Sequence, residues 1–209
     1  RSGNNKEIFI NLKKYKKKFK KIEKFLLIGT GGSSLGSKAI ISLHDKKKIN
    51  FIENLDPSVL KNFFKSNKKK ILGLLIISKS GETLEVLSLF DILINRFQNN
   101  FDLINNTLII SDKKNSTLRN IANIYGIDIL NHDEAIGGRF SCFSLTGLLP
   151  MYLAGINSIK LKELVDESFK KGLLSKNNSN SIFITAVSQI IKKKKNYRSY
   201  IFSLFGKSY

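Results

Sequence analysis

Ile71-Leu72-Gly73-Leu74-Leu75-Ile76-Ile77-Ser78-Lys79-Ser80-Gly81-Glu82-Thr83-Leu84-Glu85 is the stretch on which the reading of this chain turns. Its first half is an apolar run too short for an ordinary helix and rich in β-branched residues, so it reads as a parallel strand buried on both faces. Downstream, Leu84, Val86, Leu87, Leu89, Phe90, Leu93, Ile94 and Phe97 recur at three- and four-residue spacing, which predicts a helix beginning near Thr83. The hydroxyl-and-glycine segment between them therefore sits at a helix N-terminus.

The first backbone N–H groups of a helix have no preceding turn to bond to, and the positive end of the dipole is concentrated there. Ser78, Ser80 and Thr83 add hydroxyl donors, and together these suit a phosphate dianion. They suit an ordinary capped helix equally well, because Ser and Thr are favoured N-caps. This loop alone supports both readings.

Working outward, Phe25-Leu26-Leu27-Ile28 is a first buried strand, and Gly29-Thr30-Gly31-Gly32-Ser33-Ser34-Leu35-Gly36 leads into a helix ending near Leu43. Strand, glycine loop and helix again make an anion-binding turn. Before it, residues 1–24 are basic, and their weak apolar stripe of Ile8, Ile10, Leu12, Tyr15, Phe19 and Ile22 predicts an amphipathic helix laid on the sheet. After it come a strand at Ile49-Asn50-Phe51-Ile52 and a helix opened by Asp56-Pro57. Thr107-Leu108-Ile109-Ile110-Ser111 is a fourth strand, Asn115-Ser116-Thr117 caps a helix to Tyr125, and Ile127-Asp128-Ile129-Leu130 is the fifth.

Strands alternating with helices force right-handed crossovers, so the fold class is α/β: a three-layer sandwich on a five-stranded parallel sheet. Ligands then gather beyond the carboxyl ends of the strands, where strand order reverses. From Ser141 the pattern turns helical, with Pro150 expected to kink the first helix. Further apolar stripes cover 161–169 and 182–191, and the strand-like run Tyr200-Ile201-Phe202-Ser203-Leu204-Phe205-Gly206 reads as the start of a second sheet. The expected division is 1–24 basic helix, 25–155 ligand-binding domain, and 156–209 linker helices plus the beginning of another domain.

A formal charge of +20 on 209 residues would ordinarily suggest nucleic acid. The excess is nearly all Lys, with five Arg, and it is spread along the chain without Arg forks or interleaved stacking aromatics. We therefore expect no nucleic-acid partner. No apolar run approaches the ~20 residues needed to span a bilayer, so no membrane partner is expected either. The single cysteine, Cys142, excludes an internal disulfide and suits a reducing cytosol; beside Phe140, Phe143 and Leu145 it reads as a buried structural thiol. Arg1 reads as a cut inside a longer chain.

The first glycine loop is not the dinucleotide fingerprint: Gly29, Gly31 and Gly32 do not complete G-x-G-x-x-G in register, although Glu53 falls near the place of a ribose-binding acid. A dehydrogenase would also have no need of the hydroxyl loop at Ser78. No G-x-x-x-x-G-K-[ST] occurs, which excludes a P-loop. A third loop, Asp133-Glu134-Ala135-Ile136-Gly137-Gly138-Arg139-Phe140-Ser141, can bring Arg139 over the same rim, where a guanidinium would stabilise an oxyanion. It could instead bridge to Asp133 or Glu134. His44 and His132 read as surface or loop histidines, and Glu82 as a first-turn acid suited to the helix dipole.

The motifs Leu27-Ile28-Gly29-Thr30-Gly31-Gly32-Ser33-Ser34-Leu35-Gly36, Ile77 to Glu85, and Gly137-Gly138-Arg139-Phe140-Ser141 before Gly147-Leu148-Leu149-Pro150, in this order, resemble the glucose-6-phosphate isomerase family over Phe25 to Leu153. The resemblance implies a flavodoxin-like sugar isomerase (SIS) fold and the glycolytic and gluconeogenic conversion of an aldose phosphate to a ketose phosphate through an enediolate. It implies that no metal or other cofactor takes part. It implies that Ser78, the Lys79 main chain, Ser80 and Thr83 hold the phosphate of the substrate sugar phosphate, that Gly32 and Ser33 line the sugar hydroxyls, and that Arg139 stabilises the enediolate. It also implies a cytoplasmic homodimer, with the ring-opening histidine supplied by the partner. The family's glutamate base and late lysine have no matching motif here, so the chain is expected to bind phosphosugar without the base, which would follow Tyr209. The rival reading is a phosphosugar-sensing SIS module that binds without catalysis, against which Gly138-Arg139 argues.

Overall fold

In the computed structural model, residues 5–44, 48–97 and 101–174 are described. The elements run α1 (Asn5–Lys18), β1 (Lys24–Ile28), a 3₁₀ turn (Gly31–Ser33), α2 (Leu35–Ser42), β2 (Ile49–Ile52), α3 (Pro57–Ser66), β3 (Leu72–Ile77), α4 (Leu84–Phe97) and α5 (Phe101–Asn105). There follow β4 (Thr107–Ser111), α6 (Thr117–Tyr125), β5 (Asp128–Asn131), a 3₁₀ segment (Gly138–Phe143), α7 (Leu145–Leu153) and α8 (Ser158–Leu174). The strands form one sheet in the order β2-β1-β3-β4-β5. All four pairings are parallel, with Ile28 opposite both Ile52 and Ile76, and Ser111 opposite Asn131.

Alternation along each strand divides the core in two. Phe25, Leu27, Leu75, Ile77, Leu108 and Ile110 face the layer built from α1, α2 and α7. Leu26, Ile28, Leu74, Ile76 and Ile109 face the layer built from α3, α4, α5 and α6. That double burial is why these strands are near-continuous apolar runs. The fold is therefore the expected doubly wound α/β sandwich with flavodoxin-like strand order. The N-terminal helix lies on the sheet by most of its predicted stripe, but Ile10, counted in that stripe, is exposed. Leu12 and Tyr15 are buried, and the Tyr15 hydroxyl donates to Asp128 Oδ2 at 3.2 Å beside the Lys18 ammonium at 2.7 Å.

Local signals locate the helix ends well. Asp56 accepts from the Ser58 amide ahead of Pro57, and Ser116 caps α6, which closes on left-handed Gly126. The five-residue α5 has too little periodicity to be foreseen. Residues 1–162 form one compact unit and 163–209 another; of the second, only the end of α8 is described. The predicted helix at 182–191 and the strand-like run at 200–206 lie outside the described residues. Among the described residues no helix is long and apolar enough to cross a membrane.

Candidate active site

Strand order reverses between β1 and β3, so the carboxyl ends of these adjacent strands flank a crevice. The Gly29–Ser34 loop leaves one side of it and the Ser78–Thr83 loop the other. Gly29 lies against Ile77: a Cβ there would come within 3.2 Å of the Ile77 carbonyl.

The second loop is held in shape by its own hydroxyls. Ser78 is buried, and its Oγ pairs with Thr83 Oγ1 at 2.9 Å and accepts from the Gly81 amide at 3.1 Å. Ser80 Oγ accepts from the Glu82 amide at 3.1 Å. Gly81 turns the chain at φ +68°, a region that L side chains rarely enter. The Thr83 carbonyl accepts from the Leu87 amide at 2.9 Å, so α4 starts at Thr83 with its first amides directed at the rim. Ser78 is thus enclosed by the loop, while Ser80 lies on its exposed surface.

Glu82 departs from expectation. It precedes α4 and serves another helix: Oε1 accepts from the Thr117 amide at 2.6 Å and Oε2 from the Thr117 hydroxyl at 2.8 Å, at the N-terminus of α6. Glu53 is likewise engaged in structure, accepting from Ser34 Oγ at 2.7 Å and from Lys38 Nζ at 2.6 Å. This removes it as a free ribose-binding acid.

The third loop reaches the crevice from β5. Gly32 packs so tightly on Gly138 and Arg139 that a Cβ would stand 2.3 Å from the Gly138 carbonyl carbon. Ser141 Oγ bridges Gly32 O at 3.0 Å and Gly138 O at 2.6 Å. Gly32, Ser33 and Arg139 are thereby brought together, and the Lys79 ammonium spans to the same loop at Glu134 O (3.1 Å) and Ile136 O (2.9 Å). The Arg139 side chain is exposed and makes no ion pair with Asp133 or Glu134. Phe140, read as part of a buried cluster, is 80% exposed. Cys142 is half-buried against Gly36, and burial pushes its thiol above the ordinary range.

Two contributions have no local sequence signal. Arg119 of α6 fastens the ends of β4 and β5 through Nε to Asp112 O at 2.5 Å and Nη2 to Asn131 Oδ1 at 2.5 Å. The Lys79 ammonium has partners 55 and 57 residues away; no pattern within the motif marks them.

His132 lies in the loop after β5, one of the two placements expected of it, but it is buried, with Nδ1 at 2.8 Å from Asp133 O and 3.6 Å from Asp112 Oδ1. Desolvation lowers its pKa and Lys79 acts in the same direction, against the Asp133 carbonyl and the charges of Asp112 and Asp133. The unfolded chain therefore takes up this proton first, and stability is lost as pH falls from about 6.5 through the lower native value. Urea midpoints measured between pH 7.5 and 5 should decline over that window, and His132→Gln should flatten the decline. An unchanged profile in the variant would show that His132 is not responsible.

A cavity of about 650 Å³ opens at the opposite ends of the strands, around Lys61, Phe64, Lys65, Leu72 and Leu103. It lies away from all three loops, at the opposite end of β3 from the Ser78–Thr83 loop. The class defined by this strand order and by three loops converging on the β1/β3 crevice is the doubly wound α/β domain with its ligand site at the switch point.

The family described as Phosphoglucose isomerase matches residues 10–189. The chain belongs to the phosphoglucose isomerase family. It is similar to the glucose-6-phosphate isomerase of Campylobacter jejuni, 34% identical over 147 residues, covering 68% of this chain and 36% of that protein. To the enzyme of the same name from Fusobacterium nucleatum it is 30% identical over 212 residues, covering 92% and 46%. In fold it matches the crystal structure of a glucose-6-phosphate isomerase from Chlamydia trachomatis with TM-score 0.76 and 22% identity, over 90% of this chain and 38% of that one. The chain thus spans less than half the length of these relatives.

Proposed function

We propose that this chain is the phosphosugar-binding portion of an enzyme that interconverts glucose 6-phosphate and fructose 6-phosphate. The observation that carries the reading is the backbone contact of Gly32 with Gly138 and Arg139, which sets a cation on the rim that holds the hydroxyl loop. The Ser80 and Thr83 hydroxyls and the Lys79 amide, with Ser78 beneath them, hold the phosphate at the start of α4. Gly32 and Ser33 line the sugar hydroxyls. Arg139 stabilises the enediolate formed when a proton moves between adjacent carbons. Binding energy from the non-reacting phosphate keeps those carbons in position. The transfer is redox-neutral and calls for no cofactor.

In this reading the proton-transferring glutamate lies on sequence outside this chain, and the whole protein is a cytoplasmic homodimer. Titration of the purified chain with glucose 6-phosphate, followed by NMR or calorimetry, tests the binding role. Thr83→Ala should weaken affinity by roughly tenfold, the loss of one hydrogen bond to a charged group. Unchanged affinity would remove the phosphate assignment. The same chain in an assay coupled to fructose 6-phosphate formation should turn over almost nothing, and substantial activity would refute the absence of the base.

A further inference from the structure

The side chain of Lys79 is turned away from the site of its own loop. Its ammonium donates to Glu134 O at 3.1 Å and Ile136 O at 2.9 Å, both main-chain acceptors in the segment between β5 and the 3₁₀ segment that carries Arg139. Its carbonyl is fixed from β4, accepting from the Asp112 amide at 2.9 Å and from Ser111 Oγ at 3.4 Å. One residue thus connects the carboxyl ends of β3, β4 and β5.

The segment it grips has little else to hold it. Glu134 and Ala135 are exposed, and the local bonds there run only from Ala135 N to Asp133 Oδ1 at 3.0 Å and from Ile136 N to Asp133 O at 3.1 Å. Beyond it, Gly138 is pressed on Gly32 and bridged by Ser141. The path to Arg139 is therefore fastened at two points, the Gly32 contact and the Lys79 ammonium.

We propose that Lys79 is a positioning residue whose ammonium ties the phosphate-holding loop to the Glu134–Ile136 segment and so fixes the placement of Arg139. The proposal rests on the phosphosugar reading of the two loops. Hydrogen bonds from a charged donor are among the stronger ones in proteins, and two of them converge here. The lysine charge is committed to carbonyls, so it does not neutralise the phosphate directly. A dianion that orders the Ser78–Thr83 loop also orders Lys79, and through it the guanidinium.

The test uses the chain itself, its Lys79→Met, Lys79→Arg and Arg139→Ala variants, and the Lys79→Met/Arg139→Ala double variant. Two readouts are taken: amide hydrogen exchange over residues 133–139, and affinity for 6-phosphogluconate, an open-chain sugar acid phosphate whose carboxylate presents an anion to the guanidinium. Lys79→Met should raise exchange in 133–139 about tenfold and weaken 6-phosphogluconate roughly tenfold. Lys79→Arg, which keeps a charged donor, should restore most of both. The double variant should bind no more weakly than Arg139→Ala alone, because the two residues act as a unit.

Unchanged exchange at 133–139 in Lys79→Met, or additive losses in the double variant, would overturn the tie while leaving the phosphosugar reading standing. A wild-type chain that binds neither inorganic phosphate nor 6-phosphogluconate would overturn both.

Discussion

A Gly32→Ala variant is expected to lose 6-phosphogluconate affinity by one to two orders of magnitude and to unfold at lower denaturant than the wild-type chain. The added methyl would lie 2.3 Å from the carbonyl carbon and oxygen of Gly138 and 2.6 Å from the Arg139 nitrogen. Carbon atoms in contact normally sit about 3.5–4.0 Å apart, so the two loops must part by more than 1 Å. All three obstructing atoms are main chain, and no rotamer change can make room. The separation also strains the Ser141 bridge to Gly32 O at 3.0 Å.

A displacement of ~1 Å in a binding constellation can cost about 10²-fold, and overpacking of this kind typically destabilises by about 1–3 kcal/mol. Gly138→Ala is the informative comparison, because a Cβ at that position meets nothing within 4 Å. Its effect should be much the smaller. If the two alanines behave alike, the contact does not set the position of Arg139.

The largest effect on stability is expected from Phe25→Ala. Phe25 is fully buried in the interior strand β1, edge-on to Phe19 at 5.6 Å between ring centroids, and its ring occupies the space left by the missing side chain of Gly73. Removing such a ring costs about 3–5 kcal/mol, counting both lost transfer energy and the cavity. That is a large part of the ~5–15 kcal/mol that holds a domain folded. For a chain of this size the melting temperature should fall by roughly 6–20 °C, readable by circular dichroism or calorimetry. Phe140→Ala, at an 80% exposed position, should leave it nearly unmoved.

The contrast between these two phenylalanines marks the limit of what the sequence discloses. Phe25 is legible because parallel strands buried on both faces must be apolar throughout, and the same logic recovers β3 and β4. Asp56 and Ser116 are legible because capping is a local bond, made within two or three residues. Gly32, Ser33, Ser78, Ser80 and Thr83 can be listed as loop residues for similar reasons. Phe140, by contrast, sits among apolar neighbours in sequence, yet its exposure is decided by the turn of the 3₁₀ segment around it.

What stays hidden is whatever depends on one loop meeting another. The partner of Gly32 is more than a hundred positions away, and the carbonyls that receive the Lys79 ammonium belong to a different strand connection. His132 lies in a polar stretch and is buried beside Asp112 from the end of β4, a contact that its own segment does not mark. Glu82 has the composition of a first-turn acid, but its carboxylate finds a nearer set of donors on the neighbouring helix. Each of these is a tertiary bond between segments whose own patterns say nothing of it.

The engagement of Glu82 with Thr117 resolves an apparent conflict within the loop. An acidic group set in the receptacle proposed for a phosphate dianion should repel it. Here its charge is matched against the positive pole of α6, which leaves Glu85 as the acid in the first turn of α4. Glu82→Gln would leave that pole less well matched while adding little to anion affinity. In this fold, one helix start is relieved of a neighbouring negative charge because the next one absorbs it.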